Sequence, residues 1–155
     1  MHQFLDNIEA KVDIKGRIFV PAVYRKSLES ESEGALYMKI DVIRKCAKLY
    51  PKSVWDKMDL ELKATLNFWN NEELQIYRQF TSQVERIELD AAGRALIQRR
   101  HLDRLEIEGD ALFVGVGFYF EIWGKDNYIR SLYNDDDFDK KLEQKMGNKK
   151  LIDSN

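Results

Sequence analysis

One pattern is written twice in this chain. Asp13-Ile14-Lys15-Gly16-Arg17 and Asp90-Ala91-Ala92-Gly93-Arg94 both read Asp-x-x-Gly-Arg. Each follows an alternating segment, Ile8-Glu9-Ala10-Lys11-Val12 in one case and Arg86-Ile87-Glu88-Leu89 in the other. Each precedes a short apolar run, Ile18-Phe19-Val20 or Ala95-Leu96-Ile97. Further on, both halves carry strand-like apolar stretches that end on an aromatic, at Tyr50 and at Trp123, and a helix-like segment follows each. Two copies of one supersecondary unit predict two equivalent loops, which suit a repetitive partner better than a small substrate.

The pattern itself has a physical reading. An aspartate entering a tight turn accepts hydrogen bonds from backbone N–H groups a few residues on. Glycine supplies the positive φ, so the following arginine is held at a defined place. Such a guanidinium can clamp a phosphate or reach guanine O6 and N7 with paired donors. The competing reading is an Asp–Arg ion pair that only braces the hairpin, as many surface ion pairs do.

Alternation over residues 8–13 predicts a half-buried strand, with Lys15-Gly16 as the turn and Arg17 opening the return strand. Pro21 predicts the first turn of a short helix through Leu28. Strands follow at 36–40 and 46–50, then a helix from Pro51 and a second helix begun by Asn70 with Glu73. The second half repeats the order: strands 84–90 and 94–97, helix 98–105, strands 111–116 and 118–123, helix 126–133. From Asn134 onward the chain is charged, and a mobile tail is expected. The division is therefore a first repeat at 3–51, a helical insert at 52–81, a second repeat at 82–133 and a tail at 134–155.

Each repeat is too small for an independent core, so the two are expected to share one or to borrow one from another chain. The net charge of −2 argues against a uniformly basic nucleic-acid surface. The bases are unevenly placed, however: Lys11, Lys15, Arg17, Arg25 and Lys26 cluster in the first half, away from the acidic stretches 29–33 and 135–139. The lone Cys46 rules out an intrachain disulfide and reads as a buried residue. His2 and His101 are the only histidines, and no ligand spacing predicts a metal site or a cofactor. Trp55, Trp69 and Trp123 read as core. Arg99-Arg100-His101 with Arg104 forms a basic patch beside the second loop. No nucleophile–base pair or phosphate loop appears, so no enzyme is expected. Neither a membrane span nor a signal-peptide core is present, which predicts a cytoplasmic protein.

The stretches Asp13 to Pro21, Leu49 to Trp55, Leu89 to Ile97 and Val114 to Trp123, in this order, resemble the MraZ family of bacterial transcriptional regulators. The resemblance covers residues 3–133. It implies an α+β fold of tandem AbrB-like swapped-hairpin β-barrel repeats, with short helices and a helical insert. It implies a nucleoid-associated homo-oligomeric ring bound to double-stranded DNA at G-rich direct repeats upstream of its own gene, controlling the division and cell-wall cluster. By position, Arg17, Lys15, Arg94 and Lys11 inherit the DNA-binding role, while Asp13, Gly16, Asp90 and Gly93 shape the loops. Ala92 stands where the first loop has Lys15, and Gln98 where the family's proline stands as Pro21. The alternative from another class is a ring-forming protein-interaction scaffold without specific DNA binding.

Overall fold

The computed structural model describes residues 3–31 and 33–147. His2 and the last eight residues of the expected tail lie outside them. The first half runs β1 (Asn7–Lys11), β2 (Arg17–Phe19), α1 (Ala22–Leu28), β3 (Ala35–Asp41) and β4 (Cys46–Pro51). Helices α2 (Lys52–Thr65) and α3 (Asn71–Ser82) follow. The second half runs β5 (Val84–Glu88), β6 (Arg94–Leu96), α4 (Arg99–Arg104), β7 (Asp110–Gly115), β8 (Phe120–Trp123) and α5 (Lys125–Ser131), and α6 (Asp135–Met146) comes last.

The strands pair across the halves. In the six-stranded sheet the order is β1-β7-β8-β4-β3-β5, and β2 pairs only with β6. Every pairing is antiparallel. Exchanging each strand for its counterpart in the other half (β1 for β5, β2 for β6, β3 for β7, β4 for β8) returns the same order reversed. The arrangement is thus α+β with an internal two-fold order. It contains no closed barrel among the described residues, contrary to the expected barrel architecture. Closure requires every strand to be bonded on both sides, and β1 and β5 remain edges while β2 and β6 form a separate ribbon.

One core serves both halves. Ile18 and Val20 from β2 and the residue that follows it lie in the same buried cluster as Ala95 and Ile97. Phe4, Tyr24, Phe113 and Phe120 fill the centre with ring centroids 4.9–6.0 Å apart. Burying these faces is the main favourable term in holding the halves together. Cys46 is buried as expected, and burial pushes its thiol up to about 12.

Local signals account for most helix starts. Pro21 and Pro51 precede α1 and α2. Gln98 takes φ −61° and ψ 144°, close to the −52° and 140° of Pro21, so losing the proline leaves the entry to α4 unchanged. Asn70 caps α3 by accepting from the Glu73 N–H at 3.1 Å. The acidic loop has a use: Glu31 accepts from the Ser53 N–H at 2.7 Å, satisfying a free donor at the start of α2. Between α2 and α3, Trp55 stacks on Phe80 at 5.8 Å and on Tyr37 at 5.7 Å.

One further reading needs correcting. Trp69 is not core but 96% exposed, because it sits in the turn between α2 and α3 rather than on either apolar face. The charged segment expected as a mobile tail carries a helix from Asp135 to Met146. Asn134 accepts from the Asp137 N–H at 2.9 Å, and three aspartates occupy the first turn, where the helix dipole favours negative charge.

Candidate nucleic-acid interface

The two Asp-x-x-Gly-Arg loops have the same hydrogen bonds. In the first, Asp13 Oδ1 accepts from the N–H groups of Lys15 and Arg17, both at 2.9 Å. In the second, Asp90 Oδ1 accepts from Ala92 at 3.0 Å and Arg94 at 2.8 Å. In each, the glycine N–H donates to the aspartate carbonyl, and the aspartate N–H to the arginine carbonyl. Gly16 and Gly93 take φ of +86° and +85°, the conformation that only glycine adopts without strain. The backbone N–H of Arg17 beside Asp13, and that of Arg94 beside Asp90, holds each carboxyl below the usual range.

Arg17 and Arg94 each donate from Nε to the loop aspartate's Oδ2 at 2.7 Å. The bracing ion pair therefore exists in both loops. It also fixes where each guanidinium stands, with a quarter to a third of each arginine side chain exposed.

The halves lock these loops together. Gly16 O accepts from the Ile97 N–H at 2.9 Å, and Gly93 O from the Val20 N–H at 3.1 Å. Each loop is thereby tied to the end of the other half's strand. In the β2–β6 ribbon Arg17 lies opposite Leu96, Ile18 opposite Ala95 and Phe19 opposite Arg94. Ile18 and Ala95 point into the core. The outward face therefore carries Arg17, Phe19, Arg94 and Leu96, and Arg94 lies 5.6 Å above the Phe19 ring.

Two further arginines reach the loops from the opposite half. Arg99 of α4 donates to the Ile14 carbonyl of the first loop at 3.3 Å. Arg25 of α1 packs against Gly93 of the second loop, its Cδ 2.7 Å from where a Cβ would stand. Read as sequence, both were only members of local basic clusters. Their link to a loop more than sixty residues away leaves no local signal.

The other candidates separate. Lys15 is exposed at the first turn. Lys11 is bound to Asp110 across the β1–β7 pair at 2.6 Å and leaves the loop to its neighbours. Of the Arg99–Arg104 patch only Arg99 reaches a loop. Arg100 turns to Glu85 and Gln98, and His101 is buried. No cluster of metal-ligating side chains occurs among the described residues, and no described helix is long and apolar enough to cross a membrane.

Comparison with known proteins points to one family. The family model described as "MraZ protein, putative antitoxin-like" matches residues 80–149. A protein of Phocaeicola vulgatus named Transcriptional regulator MraZ is 43% identical over 145 residues, 94% of each chain. One of the same name from Bacteroides thetaiotaomicron is 41% identical, over 99% of this chain and 98% of its own. Another, from Christiangramia forsetii, is 32% identical over 96% of each. Identity at this level over nearly the full length places the whole chain, both loops included, within one family: it belongs to the MraZ family.

Proposed function

We propose that the chain is a sequence-specific DNA-binding regulator of transcription that reads double-stranded DNA through its paired loops. The observation that carries this reading is the sharing of one hydrogen-bonded loop by Asp13–Arg17 and Asp90–Arg94, with both arginines on one face of the β2–β6 ribbon. The relatives' name, Transcriptional regulator MraZ, supports it. Arg17 and Arg94 are assigned to base edges. Lys15, Arg25 and Arg99 are assigned to backbone phosphates, with Lys11 joining them by exchanging Asp110 for phosphate. Asp13, Gly16, Asp90 and Gly93 hold the loops in shape.

The ion pairs do not oppose this. An exposed ion pair contributes little because water screens it, whereas a bidentate arginine–guanine contact discriminates by about 1–3 kcal/mol. The pair engages Nε, so the terminal nitrogens of the same positioned guanidinium remain to form that contact. Net acidity is not an obstacle either, since the loop face is basic while the aspartates of α6 lie at the far end of the sequence.

We further propose AbrB-like repeats at 3–51 and 82–133 around the insert 52–81. The oligomer is a ring that sets many such loops on G-rich direct repeats upstream of its own gene, in the division and cell-wall cluster, at the nucleoid. Tethered weak contacts multiply into useful affinity. The competing reading, a protein-interaction scaffold, draws on the ion pairs as braces.

A gel shift with DNA from upstream of the gene separates the two. The parent is expected to bind with steep salt dependence. Arg17→Ala is expected to lose specific binding while keeping its melting temperature and assembly mass. Parental binding by Arg17→Ala would defeat the recognition role, and an unfolded variant would favour the brace.

A further inference from the structure

The ribbon face between the two loop arginines is not polar. Phe19 is 57% and Leu96 56% exposed, whereas their strand neighbours Ile18 and Ala95 are buried. Strand alternation thus places two large apolar side chains outward, each directly across the ribbon from a loop arginine: Leu96 from Arg17, Phe19 from Arg94. An exposed apolar pair at such a place needs a partner that is apolar between two anion- or guanine-seeking groups.

We propose that Phe19 and Leu96 read the 5-methyl groups of thymines next to the bases contacted by Arg17 and Arg94. This rests on the DNA reading above and adds the identity of the flanking base pair. A two-stranded ribbon fits the major groove, and there the thymine methyl is the one apolar group on a base edge. A single-stranded base stacked on Phe19 fits less well, because the Arg94 guanidinium already lies over that ring. A protein partner would have to desolvate both Asp–Arg pairs beside the apolar pair, a cost that their mutual attraction does not repay.

The test uses the full-length protein and two versions of the upstream fragment, one made with thymine and one with uracil, which lacks only the methyl. The parent is expected to bind the uracil fragment at least about fourfold more weakly, the worth of one buried methyl-sized group. Leu96→Ala and Phe19→Ala are expected to weaken binding to the thymine fragment and to narrow the gap between fragments. Leu96→Ala matters most, since it leaves the Arg94–Phe19 contact untouched. Equal parental binding to both fragments overturns this inference and leaves the DNA reading standing. A full gap retained by both variants also overturns it, because the methyl would then act through DNA shape or through other residues. A change in assembly mass on Leu96→Ala would assign the face to contacts between copies instead. Failure of the parent to bind either fragment overturns the DNA reading and this inference together.

Discussion

Asp13 and Asp90 each accept two backbone N–H groups and one guanidinium, so their charge is the keystone of its loop. Both carboxyls are held below their ordinary value, first by the backbone N–H of the following arginine. The sign follows directly. A carboxyl whose folded-state value is depressed contributes stability above its unfolded value of about 3.9, and loses it as pH falls through the folded value. The loops, and DNA binding through them, should therefore be insensitive to pH from about 5 to 8 at constant ionic strength. Carbon-detected NMR titration should find both aspartates with midpoints below about 3.9. A midpoint at or above that value would mean that the hydrogen bonds are not holding the charge.

At the scale of elements, the two glycines occupy the same conformation with different neighbours. A Cβ on Gly16 would collide with the Ile97 carbonyl oxygen, which is backbone and cannot move without disturbing the strand. The three atoms nearest a Cβ on Gly93 all belong to the Arg25 side chain, which can shift at the cost of its Nε–H hydrogen bond to the Val20 carbonyl. Both substitutions incur the left-handed penalty of about 1–2 kcal/mol. Gly16→Ala is expected to add a clash and lower the melting temperature clearly more than Gly93→Ala. Gly93→Ala is expected to lose little beyond that penalty, and to displace Arg25 and weaken DNA binding. Thermal melts with gel shifts on both variants check this, and equal melting temperatures would remove the distinction.

At the scale of the whole molecule, the sheet leaves β1 and β5 as edges, and Leu60, Ile76 and Trp69 are exposed on the helical insert. Surfaces of this kind ask for a neighbour. An oligomer in solution is expected, and α6 is expected to be dispensable for it, since every residue from Asp135 to Met146 is exposed or half-exposed. Light scattering on the full chain and on a chain ending at residue 134 decides this. The truncated assembly should weigh one set of tails less and bind DNA at least as well without the aspartates. A monomeric full chain, or dissociation on truncation, would refute it.

What the amino-acid order determined by itself was local. The loop conformation, the strand alternation and the helix starts at Pro21, Pro51 and Asn70 each depend on residues within a turn of one another, so their signals lie side by side in the chain. The cap at Asn134 was equally local, with the same three-residue spacing to an acid as at Asn70. The aspartates that follow it supply the first-turn charges of the same helix. Which strand pairs with which was decided only in three dimensions. The alternating segment Ile8–Val12 and the apolar run Ala111–Val114 each fit several partners equally well by pattern. The choice falls to the shared core, in which Ile18, Val20, Ala95 and Ile97 are buried together. That choice carries Arg99 to the first loop and Arg25 to the second, and turns Phe19 and Leu96 outward between the arginines. Contacts between residues so distant in sequence are selected by packing, which is why the loops were legible beforehand and their surroundings were not.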